Sequence, residues 1–432
     1  MAATLFGSVS VDESKSITEN LKRYIVDNKQ LEISARDWAE FNKAYSKEDL
    51  REAIISLIYD GSIGMPMRHI TSKECAQTFL SLRELPVEGR AVGDCYGKYE
   101  YKQGNPTSFF EGASAYNKAS DYFNQDARFK CAYVNKPSCY ELWTDKDKYK
   151  FLKTVIDGLW AWGYEDVNTA NIKTCVRTRN YLAMQFRPAA AREIYSYYGA
   201  KNILDFSAGW GDRLCGFYAT PTAESYIGID PNVAVYENYH KQDIFYSKLI
   251  GKKNTMFLNM PAEEVGLPPE IVDFVFTSPP YFNCEIYTRD DTQSENRYDN
   301  LKNWLDGFLK PTLSMAYYAL KPGGIIALNI SDFADKNGRV CMCDPMNDFF
   351  RDELKMEFVE CSGFRISARY QSAIKHQGEA HTEPLWVWRK PTEGTLTELK
   401  WLNPNRQIID VNFGTTEQNA RDKGAFKQIK LF

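Results

Sequence analysis

Apolar runs of strand length alternate with amphipathic runs of helix length from residue 202 to residue 388, and this alternation restricts the fold more than any other feature of the sequence. Strands separated by helices form βαβ units, which build a parallel sheet with helices on both faces. The sequence therefore predicts an α/β fold with a doubly wound, mostly parallel sheet. The predicted strands are residues 202–206, 226–230, 255–258, 272–277, 324–330 and 384–388. The predicted helices are residues 188–199, 212–218, 234–250 and 301–320, the last of them bent at Pro311.

The chain has 432 residues, which is enough for two or three domains. We expect residues 166–392 to form the α/β domain and residues 1–165 to form an additional N-terminal region of α-rich or α+β structure. Residues 94–162 are rich in aromatic side chains but have no regular period, so the sequence predicts no fold for them. Residues 393–432 are expected to be a C-terminal extension.

The composition excludes several classes of protein. A hydrophobic content of 44% and a charged content of 25% are typical of a folded globular chain. No apolar run approaches the roughly 20 residues of a membrane helix, and the first 16 residues lack the pattern of a secretion signal. The ten cysteines include no CxxC pair, and His376 and His381 lack the helical spacing of a zinc site. We therefore expect an intracellular protein with no membrane span, disulfide scaffold or metal.

Two stretches are locally basic although the net charge of the chain is −4. Residues 172–192 contain no acidic residue, and residues 361–390 contain only two. Arginine and lysine in such stretches can bind nucleic-acid phosphates, but ordinary solvated charge is an equally good interpretation. The basic residues are Lys173, Arg177, Arg179, Arg187 and Arg192 in the first stretch, and Arg365, Arg369, Lys375, Arg389 and Lys390 in the second.

A glycine-rich turn follows the first predicted strand, in the sequence DFSAGWGDR that begins at Asp205. Gly209 and Gly211 would allow the backbone to approach a ligand closely, and the carboxyl ends of the strands are where open α/β sheets bind ligands. Asp230 ends the second predicted strand, where its carboxylate can accept hydrogen bonds from both hydroxyls of a ribose. The alternatives are that the glycines only form a turn and that Asp230 only caps a helix.

A second motif, TSPPYF, follows the strand at residues 272–277 and therefore projects from the same edge of the sheet. An exocyclic aromatic amine is a poor nucleophile because its lone pair is delocalised into the ring. The side-chain oxygen of Ser278 and the carbonyl of Pro279 can each accept one amine hydrogen and so localise that pair. Pro280 stiffens the turn, and Tyr281 can stack on a base that has left the double helix. A merely stiff turn is the alternative interpretation.

Together, the two motifs resemble those of the S-adenosylmethionine-dependent amino methyltransferases that act on nucleic acids. The resemblance covers about residues 172–390, and it includes the LKPGG turn at 320–324 and the EPLWVWRK strand at 383–390. TSPPY is the variant most associated with the N4 amine of cytosine in DNA, whereas the aspartate variant is more associated with the N6 amine of adenine. The resemblance implies a class I methyltransferase fold and S-adenosylmethionine as the cofactor.

The resemblance also implies a role for particular residues. The glycine loop would pass under the methionine part of the cofactor, Asp230 would hold its ribose, and the turn at Phe186-Arg187-Pro188 would lie beside the methionine. The implied cofactor-binding residues are Phe186, Pro188, Asp205, Ser207, Gly209, Gly211, Asp230 and Thr277. The implied catalytic residues are Ser278, Pro279, Pro280 and Tyr281. No metal ligand is implied.

Two positions depart from the family pattern. Trp210 is bulky between the two glycines, and Pro261 occupies a third-strand position that is often acidic in the family. Asn259, Met260 or Glu263 would then have to replace the missing contact to the adenine.

We expect a DNA methyltransferase acting on cytosine N4 ahead of adenine N6, in the cytoplasm of a prokaryote or an infected host cell, with DNA as its partner. One alternative keeps the chemistry but moves it to RNA or to a protein side chain. Another is a nucleic-acid-binding module on a decayed methyltransferase fold, in which Trp210 and Pro261 block the cofactor. Target recognition would fall to residues 1–165, 283–300 or 331–382, and the aromatic N-terminal region is the favoured candidate.

Overall fold

The computed structural model describes residues 11–366, 379–396 and 398–411. The chain forms two compact units, each built from two separate stretches of sequence. The first unit contains Met1–His69 and Gln125–Met184, and the second contains Ile70–Asn124 and Gln185–Phe432.

The first unit is helical. Its helices are Ile17–Lys22, Ala35–Ala44, Lys47–Tyr59, Cys139–Thr144, Tyr149–Ile156, Gly158–Ala161 and Thr169–Arg179, and a small antiparallel pair joins Ile25–Val26 to Gln30–Leu31. Serine side chains begin several of these helices; for example, the backbone N–H of Asp49 donates to the Ser46 hydroxyl at 3.1 Å. Apolar side chains on the facing sides of the helices, such as Trp38, Phe41 and Leu152, form its buried core.

The second unit is built on one ten-stranded sheet. Its strands are β1 (Ala91–Val92), β2 (Cys95–Tyr96), β3 (Ser108–Phe110), β4 (Asn202–Asp205), β5 (Ser225–Ile229), β6 (Asn254–Leu258), β7 (Val272–Thr277), β8 (Leu320–Asn329), β9 (Glu357–Arg365) and β10 (Ala380–Arg389). The strand order is β1-β3-β9-β10-β8-β7-β4-β5-β6, and β2 pairs with β10 outside this path.

The sheet is doubly wound and mostly parallel. Strands β4 to β8 are parallel to one another, and β10 is antiparallel to both β8 and β9. The chain starts this part at β4, builds outward through β5 and β6, and then returns to the other side of β4 with β7 and β8. This order is the class I methyltransferase arrangement, so the predicted fold class is confirmed, and all six predicted strands are present.

Helices connect these strands. In the second unit they are Ser72–Glu84, Lys118–Phe129, Pro188–Tyr197, Asp212–Ala219, Val233–Ile250, Ser294–Arg297, Leu301–Trp304, Lys310–Ala319 and Cys343–Asp352; Lys118–Phe129 crosses the boundary with the first unit. Pro188 is the first residue of its helix, where its missing N–H costs nothing. Leu204, Val275 and Leu328 of the sheet are buried against the helices in one apolar core.

The predicted helix at residues 301–320 is interrupted before Pro311. Leu301–Trp304 and Lys310–Ala319 are α-helical, and the five residues between them form a π-helical turn. Pro311 has no N–H to donate to the carbonyl of Gly307, and the Tyr298 hydroxyl lies 2.9 Å from that oxygen instead. A Cβ on Gly307 would lie 2.2 Å from the Tyr298 ring, so only glycine fits there.

The division of the chain differs from the boundary expected near residue 165. Residues 70–124 lie in the unit that contains the sheet, because β3 pairs with β9 and β2 pairs with β10. Residues 166–184, by contrast, lie in the helical unit, because Thr169–Arg179 packs its buried side chains into that core. The N-terminal part of the chain therefore contributes strands to the sheet as well as a separate helical unit.

The second unit also has short strand pairs outside the ten-stranded sheet. Val265–Gly266 pairs in parallel with Gln407–Ile408, and Phe333–Asp335 forms a hairpin with Gly338–Val340. All ten cysteines are free thiols, and most are buried. In the parts of the chain that the structure describes, no helix combines the length and the apolar character needed to cross a bilayer.

Candidate active site

The predicted site lies where the direction of winding reverses, between β4 and β7. These strands are parallel neighbours, with Ile203 paired to Phe274 and Leu204 paired to Val275. Both strands therefore end at the same edge, which is where open α/β sheets form their binding crevice. The Thr277 hydroxyl after β7 approaches the Ser207 carbonyl after β4 at 3.5 Å, so the structure brings the two sequence motifs together.

The glycine turn needs glycine for two different reasons. Gly209 and Gly211 both adopt left-handed backbone conformations, with φ of 56° and 71°. At Gly211 a Cβ would also lie 2.1 Å from the side chain of Gln242, so this position is closed by packing. At Gly209 a Cβ would meet the Ser207 carbonyl oxygen at 3.7 Å and an Arg213 nitrogen at 3.9 Å, which are ordinary van der Waals distances. The left-handed backbone, rather than packing, therefore favours glycine at this position.

Asp230 lies beside this turn and orders it. Its carboxylate accepts the backbone N–H of Gly209 at 2.8 Å and that of Asn232 at 3.0 Å. Burial raises the pKa of Asp230 to about 6, although these two hydrogen bonds oppose the rise. Each carboxylate oxygen can accept more than one hydrogen bond, so Asp230 retains acceptor capacity for a ligand.

Asp205 is fully buried, and protein side chains bind its carboxylate. Arg213 donates to it through Nε at 2.8 Å and through a second nitrogen at 3.1 Å, and the Tyr226 hydroxyl donates at 2.6 Å. Burial alone would lower the pKa of Arg213, but Asp205 raises it above its usual value. Arg213 also donates to the Ser207 carbonyl. Asp205 therefore acts on the glycine turn through Arg213.

The TSPPYF turn contains the hydroxyl of Ser278. Thr277 is fully buried and Ser278 is partly exposed. Within the described part of the chain, the Ser278 hydroxyl has no hydrogen-bond partner. The backbone N–H of Cys284 donates to the Tyr281 carbonyl at 2.7 Å, and Phe282 has a φ of 31°, a strained value for a residue with a side chain. The backbone therefore makes a tight, strained reversal at the end of the motif.

Phe186 lies between the sheet and an arginine. Its ring stacks on Phe364 with a centroid distance of 4.7 Å, meets Phe276 edge-on at 5.5 Å, and lies under the Arg213 guanidinium. Arg187 donates to the backbone carbonyls of Glu111 and Gly112 at 3.0 and 2.9 Å. This turn is consequently fixed on both sides before the helix at Pro188.

Trp210, which departs from the family pattern, contacts residues outside the glycine turn. The Trp210 ring lies 5.8 Å from the Tyr287 ring, and its carbonyl accepts from Asn124 at 2.7 Å. Of two suggested substitutes that follow the third strand, Glu263 is buried and ion-paired with Arg297, whereas Asn259 is exposed and donates to the carbonyls of Asp230 and Pro231. Asn259 is therefore the better placed of the two beside the turn.

Sequence reasoning did not assign a role to Glu383, which lies at the same edge as TSPPYF. Leu328 of β8 pairs with Thr277 on one side and with Trp386 on the other, so the start of β10 reaches this edge. The nearby carboxyl of Glu383 contributes to raising the pKa of Tyr281, after burial itself. The EPLWVWRK pattern contained this residue, but only the antiparallel pairing of β10 shows where it lies.

Two residues of the predicted basic stretches are buried inside the protein. Arg192 is only 5% exposed and donates to the carbonyls of Ala219 and Arg83, and Lys390 is only 3% exposed and donates to those of Tyr317 and Leu320. Neither phosphate binding nor solvated charge, the two interpretations of the sequence, applies to these two residues, because charge in a sequence does not reveal burial.

The other basic residues differ in their availability. Arg365 pairs with Glu111, and Arg179 donates to the Thr154 carbonyl at 2.7 Å, whereas Arg177 and Arg389 are exposed. Arg369, Lys375 and His376 lie outside the described residues. The described part of the chain contains no group of three or more histidine, cysteine or acidic residues that could hold a metal ion.

Comparison with known proteins supports the resemblance to amino methyltransferases for part of the chain. Residues 272–424 match the family model of N6/N4 methyltransferases described as DNA methylase. The matched stretch is about a third of the chain and begins at β7, so it includes TSPPYF and β8 to β10 but not the glycine turn. The resemblance seen in the sequence is therefore confirmed for this part. No match was found among curated proteins.

Solved structures that match part of this chain include several methyltransferases. An S-adenosylmethionine-dependent O-methyltransferase of Thermotoga maritima is 14% identical, covers 48% of this chain and 67% of its own, and has a TM-score of 0.29. An S-adenosylmethionine-dependent methyltransferase of Methanosarcina mazei is 13% identical, covers 46% and 98%, and has a TM-score of 0.31. The N-methyltransferase NodS of Bradyrhizobium japonicum is 11% identical, covers 46% and 89%, and has a TM-score of 0.30.

The buried pair of Asp205 and Arg213 generates a prediction about stability. Arg213→Met would leave a buried carboxylate with only the Tyr226 hydroxyl, so the free energy of unfolding should fall by about 3–5 kcal/mol. Urea unfolding measures this directly. The exposed Arg389 provides the matched control, and Arg389→Met should change stability by about 0.5 kcal/mol or less. Equal effects of the two substitutions would show that the pair does not support the turn.

Proposed function

We propose that this chain is an S-adenosylmethionine-dependent methyltransferase that methylates an exocyclic amine in DNA, with cytosine N4 ahead of adenine N6. The observation that carries the proposal is the unpartnered, partly exposed hydroxyl of Ser278, held between Thr277 and two prolines beside the glycine turn. The family match over residues 272–424 supports the substrate class.

The residues at the turn fit the cofactor. Asp230 has the acceptor capacity that a ribose diol requires, and the absence of a side chain at Gly209 would let the methionine part of the cofactor lie close to the backbone. Ser207, Thr277 and Phe186 would line the same crevice. The bound cofactor would supply an electrophilic methyl group on its sulfonium. In this proposal Asp205 supports the turn through Arg213 rather than touching the cofactor.

Ser278 and Pro279 would activate the amine. The hydroxyl oxygen and the carbonyl oxygen can each accept one amine hydrogen, which holds the lone pair out of the ring. Pro280 stiffens this arrangement, and Tyr281 would stack on the extruded base. Stacking of this kind is worth about 1–3 kcal/mol per base and partly offsets the cost of unstacking the duplex.

The aromatic N-terminal segment that follows residue 94 would help to bind the substrate. The Tyr101 hydroxyl lies 3.0 Å from the Ser331 hydroxyl, and its ring meets Trp386 edge-on at 5.1 Å. Tyr96 lies on β2, which pairs with β10 near His381. These residues belong to the edge of the sheet that carries TSPPYF, and this placement favours them over the C-terminal part of the chain.

The other two functions lead to different measurements. A methyltransferase for RNA or for a protein amine would keep the site and lose activity on DNA. A decayed module would bind nucleic acid without binding S-adenosylmethionine, and calorimetry would show no cofactor affinity. The remaining acceptor capacity of Asp230 beside the glycine turn favours an intact cofactor site.

Ser278 provides the test of the proposed chemistry. Ser278→Ala should lower kcat for methyl transfer to DNA by about 100-fold or more, because one acceptor for the amine is lost. The affinity for S-adenosylmethionine, measured by calorimetry, should stay within about twofold of wild type.

Ser81, an exposed serine on the helix Ser72–Glu84, is the matched control for this substitution. Ser81→Ala should leave both rate and affinity unchanged. Wild-type turnover by Ser278→Ala would contradict the assigned role of the motif.

Asp230 predicts a pH dependence of cofactor binding. Its raised pKa of about 6 means that the carboxylate loses its charge as the pH falls through that value. The dissociation constant for S-adenosylmethionine should therefore rise up to about tenfold per pH unit below pH 6. Asp230→Asn should bind weakly without this dependence, whereas Asp410→Asn, which changes an exposed carboxylate, should retain it. Calorimetric titrations between pH 5 and 8 would decide, and a flat wild-type profile would contradict the role of Asp230.

A further inference from the structure

Methylation of an amine leaves one proton that some group must accept. When the nitrogen lone pair forms its bond to the methyl carbon, the carbon–sulfur bond breaks and the sulfonium becomes a neutral thioether. The nitrogen then holds two protons, a methyl group and a positive charge. It must release one proton to give the neutral methylated amine.

The TSPPYF motif contains no group that can take this proton. The Ser278 hydroxyl and the Pro279 carbonyl are good hydrogen-bond acceptors but very weak bases. Tyr281 is a phenol whose pKa is raised well above its usual value by burial, so it holds its own proton. The proton acceptor has to come from another element at this edge of the sheet.

Glu383 is the carboxylate that the fold brings to this position. It lies at the start of β10, three residues before Trp386, which shares a row of the sheet with Leu328 and Thr277. Beyond this row, β10 and the TSPPYF turn extend past the same edge. The negative charge of Glu383 also contributes to the raised pKa of Tyr281, after burial itself, which agrees with this placement.

In the described ranges no hydrogen bond or ion pair involves the carboxyl group of Glu383. The nearby Glu285 differs, because its carboxylate accepts the Tyr287 hydroxyl. Burial, with a smaller contribution from Glu285, raises the pKa of Glu383 to about 7.

The charged and titratable groups around Glu383 come from several elements. Glu285 and Tyr281 face it from the segment after β7, and His381 is two residues earlier on β10, with its ring 5.4 Å from Tyr96. On the adjacent strand β9, Arg365 is opposite Thr382 and is paired with Glu111. Arg365 therefore does not neutralise Glu383.

We propose that Glu383 is the proton acceptor of the reaction and takes the proton that the amine releases on methylation. The inference rests on the proposed function and extends it from activation of the amine to completion of the step. The carboxylate becomes a carboxylic acid as the methylated amine becomes neutral, and it loses the proton to solvent before the next turnover. A partly exposed carboxyl at this edge of the sheet can pass the proton on to solvent and so suits this exchange.

The test compares the pH profiles of single-turnover methyl transfer for wild type and for variants of the two carboxylates. Wild-type rates should rise with pH up to about pH 7 and then level off. Glu383→Gln should lower the plateau by about 100-fold or more and abolish the rise. Glu383→Asp should recover part of the rate.

Glu285→Gln is the matched control, because it removes a neighbouring negative charge without changing the proposed acceptor. It should shift the rising limb to lower pH and leave the plateau unchanged. In the protein without cofactor, the infrared band of a protonated carboxyl should disappear as pH rises through about 7, and this transition should be absent from Glu383→Gln. Affinities for S-adenosylmethionine and for DNA should match wild type in all three variants.

The outcomes separate this inference from the proposed function. If the wild-type protein transfers methyl groups to DNA and Glu383→Gln retains its rate and its acidic limb, the inference is overturned and the proposed function stands. If the wild-type protein transfers no methyl group to any amine, both are overturned. A lost limb in Glu383→Gln together with a shifted limb in Glu285→Gln establishes the role.

Discussion

The parallel pairing of β4 with β7 is the constraint on which the site depends. Because the two strands run in the same direction, the glycine turn and the TSPPYF turn leave the sheet at one edge, only a hydrogen-bond length apart at Thr277 and Ser207. Neither motif could act on a shared ligand if the strands were antiparallel. The buried ion pair of Asp205 and Arg213 then stabilises the glycine turn, because Arg213 also donates to the Ser207 carbonyl.

Two carboxyl groups at this edge share one physical property, which links the cofactor half of the site to the substrate half. Burial raises the pKa of both Asp230 and Glu383, so each changes charge near neutral pH. Asp230 offers acceptors for hydroxyl groups and Glu383 offers a place for a proton, and both roles need the ionised form. The site is therefore expected to work best at or above neutral pH, where both groups are charged.

The sequence predicted the parts of the structure that depend on local pattern. The six strands and the two motifs were visible because apolar runs and turn residues are read over a few positions. The strands β1 to β3 were missed because each has only two or three residues and exists through pairing with the sheet. Strand β9 was missed because its sequence, EFVECSGFR, contains charged residues and a glycine and has no continuous apolar run. Burial of Arg192 and Lys390, and the position of Glu383, depend on which strands become neighbours, and a sequence does not show this.

The most direct test of the account is the chemical identity of the methylated product. Labelled S-adenosylmethionine would be incubated with the protein and with unmodified DNA or RNA in parallel, and the nucleic acids digested to nucleosides for mass analysis. The account predicts label in DNA as N4-methylcytosine. N6-methyladenine in DNA would retain the class and change the base, whereas label only in RNA, or none despite measured cofactor binding, would contradict the proposed substrate.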